Sequence, residues 1–169
     1  MAGTQIRGKQ IKDDSITGDD VNEDTLIMKY FMTLKYTAST SDARYVRFNA
    51  GGCDPLGAVM SNNKFVAPSN GKLKHIVIRS TGEMGDTNIS LMKITNGTPA
   101  FGSGNSSPFT EVSAEETRSV TVAEDDTSYV VQFSTNSFST GNVLGIKVDP
   151  QYNHDNVDIT AVWEFDWSS

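Results

Sequence analysis

From Tyr30 onwards the chain alternates apolar and polar residues with a period of two, the spacing of a half-buried β-strand. The alternation predicts strands at Tyr30–Tyr36, Tyr45–Asn49, Lys64–Ala67, Lys72–Arg79, Asn88–Ile94, Ser119–Ala123, Tyr129–Phe133, Val143–Val148 and Val157–Trp167. In the last of these, Val157, Ile159, Ala161, Trp163, Phe165 and Trp167 share one face. Asp158, Thr160, Glu164 and Asp166 share the other, with Val162 out of step. Leu144, Ile146 and Val148 repeat the pattern ahead of Pro150, which cannot continue a strand. Between the strands stand turn-forming clusters: Asn49-Ala-Gly-Gly, Ser69-Asn-Gly, Thr81-Gly-Glu-Met-Gly-Asp, Asn96-Gly and Thr140-Gly-Asn. Asn70-Gly71 and Asn96-Gly97 are expected to supply the positive φ of tight turns. Residues 99–110, rich in Gly, Ser and Pro, read as the longest loop, and Ser113–Thr117 as one helical turn at most. Short strands broken at close intervals by turns define an all-β chain, an antiparallel β-sandwich of jelly-roll-like form over residues 29–169.

The first 28 residues follow a different rule. Ile6, Ile11, Ile16, Val21 and Leu26 recur every five residues, matching neither the 3.6 of a helix nor the 2.0 of a strand. One aliphatic side chain per five cannot build a core within its own chain, because too little apolar surface offsets the entropy of ordering it. Gly8, Gly18 and the pairs Asp13–Asp14 and Asp19–Asp20 place turn residues between the apolar positions. Residues 1–28 are therefore expected to form an extended assembly arm that inserts Ile6, Ile11, Ile16, Val21 and Leu26 into a partner, either neighbouring copies of the arm or a groove on another protein.

Composition supports the β reading and narrows the function. Of 169 residues, 47 are Ser, Thr or Asn, which suit turns and the wet faces of sheets better than helix interiors. The net charge of −7, with no cluster of Lys and Arg, argues against nucleic acid and against anionic membrane surfaces as partners. No apolar run approaches a membrane span, and the N-terminus lacks the apolar core of a signal peptide, so synthesis in a cytoplasm without export by that route is expected. Cys53 is the only cysteine and has no basic neighbour to activate it.

The segment Gln10-Ile11-Lys12-Asp13-Asp14-Ser15-Ile16-Thr17-Gly18-Asp19-Asp20-Val21, followed by Thr25-Leu26, resembles the N-terminal arms of short phage virion proteins. There, a Gln-Ile-x-Asp-x-Ser-Ile-Thr-Gly-x-Asp-Val type segment precedes a compact β domain. In outline the body also resembles the jelly-roll domains of the tumour-necrosis-factor and complement type, which trimerise around aromatic and aliphatic strand faces. The resemblance to the virion arms implies a homotrimer in which the arm fixes the protein to a capsid or tail. The expected function is a capsid decoration or head-fibre protein whose partners are its own copies and a major capsid protein or tail component. It is made in the host cytoplasm and located in the virion. A tail-fibre or receptor-binding protein touching host surface glycans through loops 99–110 and 149–156 is the alternative; a shaft of at most about 25 residues favours decoration.

Catalytic constellations are weak throughout, and an enzyme is not expected, nor a cofactor or metal. His75 and His154 lie far apart in sequence without the close ligand pair of a zinc site. No Gly-x-Ser-x-Gly elbow exists, and Ser61-Asn-Asn-Lys64 lacks companion motifs. Gly102-Ser-Gly104 has no following helix to cradle phosphate. Asp20-Val-Asn22-Glu-Asp24 imitates half of a calcium loop, but Thr25 and Phe31 stand where Gly and Glu are required. Glu124-Asp125-Asp126 reads as a charged turn, and the Asn-x-Ser/Thr sequons at Asn88, Asn96 and Asn105 carry little without secretion. Trp163, Phe165 and Trp167 read as core or trimer interface ahead of a sugar-stacking surface.

Overall fold

The computed structural model describes residues 27–48, 52–55, 63–98 and 114–166. They form ten strands: β1 (Ile27–Thr40), β2 (Arg44–Val46), β3 (Cys53–Pro55), β4 (Phe65–Val66), β5 (Asn70–Ser80), β6 (Gly85–Ile94), β7 (Ala114–Val122), β8 (Ser128–Gln132), β9 (Val143–Asp149) and β10 (His154–Asp166). Every pairing is antiparallel. One sheet has the order β1-β10-β5-β8; the other runs β3-β2-β9-β6-β7, with β4 also on β9.

The pairings are nested. β1 takes β10, β2 takes β9, β5 takes β8 and β6 takes β7, and successive pairs alternate between the two sheets. A long antiparallel ribbon wound around a barrel-like core gives this order, so the sandwich is a jelly roll. The winding also sorts the connections. The turns β1–β2, β5–β6, β7–β8 and β9–β10 gather at one end, and the start of β1 lies at the other, where Ile27 faces Asp166 and Asp166 faces Asn70.

The core lies between the sheets. Leu73, Ile76 and Ile78 of β5 and Val157, Ile159, Ala161 and Trp163 of β10 are buried against Ile89 and Leu91 of β6 and Leu144, Ile146 and Val148 of β9. Trp163 packs edge-on to Phe65 and Phe138, with centroids 5.1 and 5.9 Å away. The inward faces expected of β9 and β10 are those observed. Trp163 and Phe165 are core; Trp167 falls outside the described residues. A second cluster, Tyr45, Met92 and Ile94 with Ala114 and Val143, occupies the other face of the β9–β6 sheet.

Three local expectations change. Residues 114–117 do not turn into a helix: Ala114–Val122 is one strand, on which Glu116, Arg118, Val120 and Val122 alternate inward, while a bulge opposite Leu91 and Met92 turns Ala114 to the outer face. Cys53–Pro55 adds a strand that three residues cannot announce by periodicity. Asn70-Gly71 is the start of β5 and no tight turn, and the described glycines with positive φ are Gly52, Gly85, Gly97 and Gly141. Gly71 is needed for proximity instead. Its backbone exchanges hydrogen bonds with Phe138 (3.0 and 2.9 Å), and a Cβ there would collide with the Glu164 carbonyl and the Phe138 ring.

Candidate assembly face

β1 is an edge strand, apolar along the face it turns towards the core and carrying Phe31 between Lys29 and Thr33 on the other. Met28, Tyr30, Met32 and Leu34 alternate towards the core face, opposite Phe165, Trp163, Ala161 and Ile159 of β10. Their burial is graded. Leu34 is buried and Met32 partly so, whereas Tyr30 is 49% exposed and Met28 similarly open. The strand therefore begins beyond the edge of the core and runs into it. Phe31 points the other way and is 62% exposed.

Beside the first half of β1 lies a groove of about 340 Å³, lined by Met28, Tyr30, Met32, Phe65, Val66 and Phe165 together with Pro68. Almost nothing polar lines it. Val66 at its far wall is 62% exposed. A ladder of rings connects the groove to the interior: Tyr30 to Phe165 (6.4 Å), Phe165 to Phe138 (5.8 Å) and Phe138 to Trp163. Of the six large hydrophobic side chains exposed among the described residues, Met28, Tyr30, Phe31 and Val66 belong to this one region. Scattered exposed apolar residues are ordinary; a group gathered on one strand edge is a candidate contact surface.

The free edge of β1 adds to it. Further along, the Lys35 carbonyl accepts the Gly52 N–H (2.6 Å), so the turn before β3 covers that part of the edge. Among the described residues, Ile27–Leu34 has β10 on one side and no strand on the other. An edge without a further strand, with a row of apolar side chains on one face and Phe31 on the other, is a template for another chain.

The outer face of the same sheet continues the patch. Phe31, Val162 and His75 form one cross-strand row of it; the next row, Thr33, Thr160 and Val77, leads away to Val130 on β8 at the opposite edge, outside the patch. Val162, the residue out of step in the β10 pattern, is only 3% exposed, flanked in register by Phe31 and His75. Two ionic rows frame this band: Lys35–Asp158–Arg79 (3.8 and 4.0 Å), and Glu164 with Lys72 and Lys74 (3.3 and 3.7 Å). These pairs are solvent-facing on at least one side and contribute little to stability; their role is to keep the rim polar.

The arm positions Ile6, Ile11, Ile16, Val21 and Leu26 lie outside the described residues. So do the loop 99–110, Ser61 and the Asp20–Asp24 segment. The two histidines are not brought together. His75 stands on the outer face of β5 opposite Val162, and His154 opens β10 opposite Ser39 and Thr40 at the other end of the sheet. His154 is buried, and burial pushes its imidazole below the usual 6.5, against the Tyr152 carbonyl and Asp155, which favour the charged form; Arg44 pushes it down further. Glu124-Asp125-Asp126 is a turn, with Asp126 at φ 56° and held by Arg79 at 2.8 Å.

One buried group escaped the sequence reading altogether. Glu116 sits inward on β7 and is almost fully covered. Burial raises its pKa, but the Asn136 side-chain amide, the Ser134 and Thr135 backbone N–H groups and Arg118 outweigh that and hold the carboxyl at about 2. The only signal was its even spacing with Arg118, Val120 and Val122, hidden because two of the inward residues are charged.

No family model matches this chain, and no curated protein does. Among solved structures it is similar to one of infectious bursal disease virus, Gx strain, at 11% identity and a TM-score of 0.33. The match takes in 83% of this chain and 32% of that one, so the chain spans about a third of its counterpart. A TM-score of this size carries no argument about role.

Proposed function

We propose that this chain is a structural protein of a phage virion, a trimeric capsid decoration or head-fibre protein fixed to the particle by its N-terminal arm. The observation that carries the reading is the position of the apolar face. Met28, Tyr30 and Phe31 follow within five residues of the arm's last apolar position, Leu26. Copies whose arms converge on one docking point bring these side chains against each other, so arm and face serve one assembly. The five-residue beat of Ile6, Ile11, Ile16, Val21 and Leu26 gives the arm its purchase on the major capsid protein or a tail component. The resemblance of residues 10–26 to phage virion arms supplies the phage setting and the threefold number. Such a protein acts by buried area and multivalency, without catalysis or a cofactor. It is made in the host cytoplasm and resides in the virion.

The test is particle incorporation of the full-length protein with Ile11→Asp and Ile16→Asp together. Loss of incorporation, with native mass and the β circular-dichroism spectrum retained, is expected; normal incorporation overturns the docking reading.

A further inference from the structure

The jelly-roll winding places four turns at the end of the sandwich away from the arm root, separated from it by roughly 35 Å of strand. This end carries a cleft of about 390 Å³ between the start of β6, the end of β7 and the β9–β10 turn, lined by Glu83, Asp86, Thr121, Gln151 and Tyr152. Tyr152 is 49% exposed, a large ring left on the surface beside Ala123 and a rim of polar side chains.

The backbone that carries the ring is held from several directions. The Gln151 and Tyr152 N–H groups both donate to the Met84 carbonyl (2.9 and 3.1 Å), and the Tyr152 carbonyl meets His154 Nδ1 at 3.3 Å. Gln151 Oε1 accepts the Asp86 N–H at 3.0 Å. Gly85, at φ +63°, closes the floor: a Cβ there would stand 2.6 Å from Gln151 Oε1 and 2.8 Å from the Tyr152 ring. A ring carried on a fixed turn and resting over Gly85 loses less entropy when something stacks on it than one on a free loop.

The chemistry of the lining selects among ligands. Among the described residues no Lys or Arg lines the cleft, and Glu83 and Asp86, with Glu124 and Asp125 in the next turn, disfavour phosphate, sulfate and carboxylate groups. An apolar guest would strand the carboxylates. A simple ammonium would satisfy them but offers no acceptor to the Gln151 amide. Hydroxyl groups both donate and accept, and a pyranose presents them around a C–H face that fits an aromatic ring. Asp86 accepts the Thr121 hydroxyl through Oδ1 (2.6 Å), which leaves Oδ2 for a ligand.

We propose that the cleft built by Tyr152, Gln151, Asp86 and Glu83 is a binding site for a neutral saccharide, with a sugar ring stacked on Tyr152 and its hydroxyls donated to the two carboxylates. The reading of the chain as an arm-anchored virion protein enters only in turning this end outward; the site itself rests on the cleft. Repetition over several copies on a particle multiplies a weak single contact.

The experiment applies labelled full-length protein to a printed array of neutral and acidic saccharides, beside Tyr152→Ala and Asp86→Asn. Melting curves establish that the variants fold, and the best neutral saccharide is then titrated calorimetrically. Expected are retention on neutral saccharides, none on acidic ones, and a loss of affinity of tenfold or more in each variant. Retention on no neutral saccharide, a preference for acidic ones, or binding that survives both substitutions overturns the proposal. Because the assay needs no particle, an arm variant that fails to incorporate leaves its result unchanged, and the two readings fail separately.

Discussion

Asn136 donates its side-chain amide to the Glu116 carboxylate at 2.6 Å while the same side chain brackets Leu73, accepting its N–H at 2.7 Å and donating to its carbonyl at 3.0 Å. Glu116 belongs to β7 in one sheet and Leu73 to β5 in the other, so this pair staples the sandwich together along one edge. Glu116 also accepts the backbone N–H groups of Ser134, Thr135 and Asn136 (each 3.0 Å at its closest) and Arg118 Nε at 2.6 Å. The loop after β8 thus winds round a single carboxylate. Replacing it with Ala leaves several buried donors unmatched, each costing about 1–3 kcal/mol. We expect Glu116→Ala to lower stability by about 3 kcal/mol or more, read as the midpoint of denaturant unfolding. Glu116→Gln, which keeps the shape but swaps an acceptor for a donor, is expected to fall between. A change within 0.5 kcal/mol for the Ala variant would refute the staple.

Acid titration separates this group from His154. The folded pKa of Glu116, about 2, lies below its ordinary 4.5. Its contribution is therefore complete above pH 4.5 and fades as pH falls towards 2. His154 is also depressed, but from 6.5. Below that pH the unfolded chain takes up a proton that the buried imidazole resists, so stability declines as pH drops from 7 towards 5. Unfolding midpoints measured across this range should show the upper limb vanish in His154→Gln and the lower limb flatten in Glu116→Gln. An upper limb unchanged in His154→Gln would show that His154 does not set it.

The sequence made the strand faces legible wherever burial follows alternation, as in Leu144, Ile146 and Val148 or the inward row of β10. It failed where another cause placed a residue. Val162 breaks the pattern because Phe31 and His75 flank it on the outer sheet face, a long-range arrangement with no local trace. Glu116 and Arg118 look like surface charge because their partners, Ser134 to Asn136, lie on a later loop. Asn70-Gly71 looks like a turn because that dipeptide usually makes one, yet the glycine serves the close approach of Phe138. The exposed face of β1 was invisible for a related reason. Its alternation continues into the solvent, and only the structure shows that the core ends partway along it.

Gly71 gives a steric prediction. Because its φ is not in the left-handed region, Ala is excluded by space alone: the added Cβ meets the Glu164 carbonyl, which is backbone, and the Phe138 ring at 2.9 Å. Neither can retreat without opening the β5–β10 ladder or the aromatic cluster behind it. Overpacking of this kind costs about 1–3 kcal/mol. Gly71→Ala should lower the thermal midpoint by several degrees, whereas Gly97→Ala, with nothing near its Cβ, should cost less, chiefly through its positive φ of 86°. Equal losses at the two sites would show that backbone conformation, not the approach of Phe138, fixes Gly71.

The face on β1 predicts which substitutions alter assembly and which do not. Tyr30→Glu and Phe31→Asp place charge on opposite sides of the strand, at side chains 49% and 62% exposed, so neither disturbs the core of an isolated domain. Burying either charge in a copy–copy contact is costly without a partner. Val130→Asp on β8, the opposite edge of the same sheet, is a matched control at 56% exposure. Sedimentation of the full-length protein should give a trimer for the parent and for Val130→Asp, and monomers for Tyr30→Glu and Phe31→Asp with unchanged melting of the monomer. Persistence of the trimer in both β1 variants would move assembly away from this face. A monomeric parent whose incorporation into particles falls with Tyr30→Glu would instead assign the face to the shell. In that case Tyr30 and Phe31 would extend the arm's docking surface from Leu26 into the folded domain, and the threefold number would come from the particle alone.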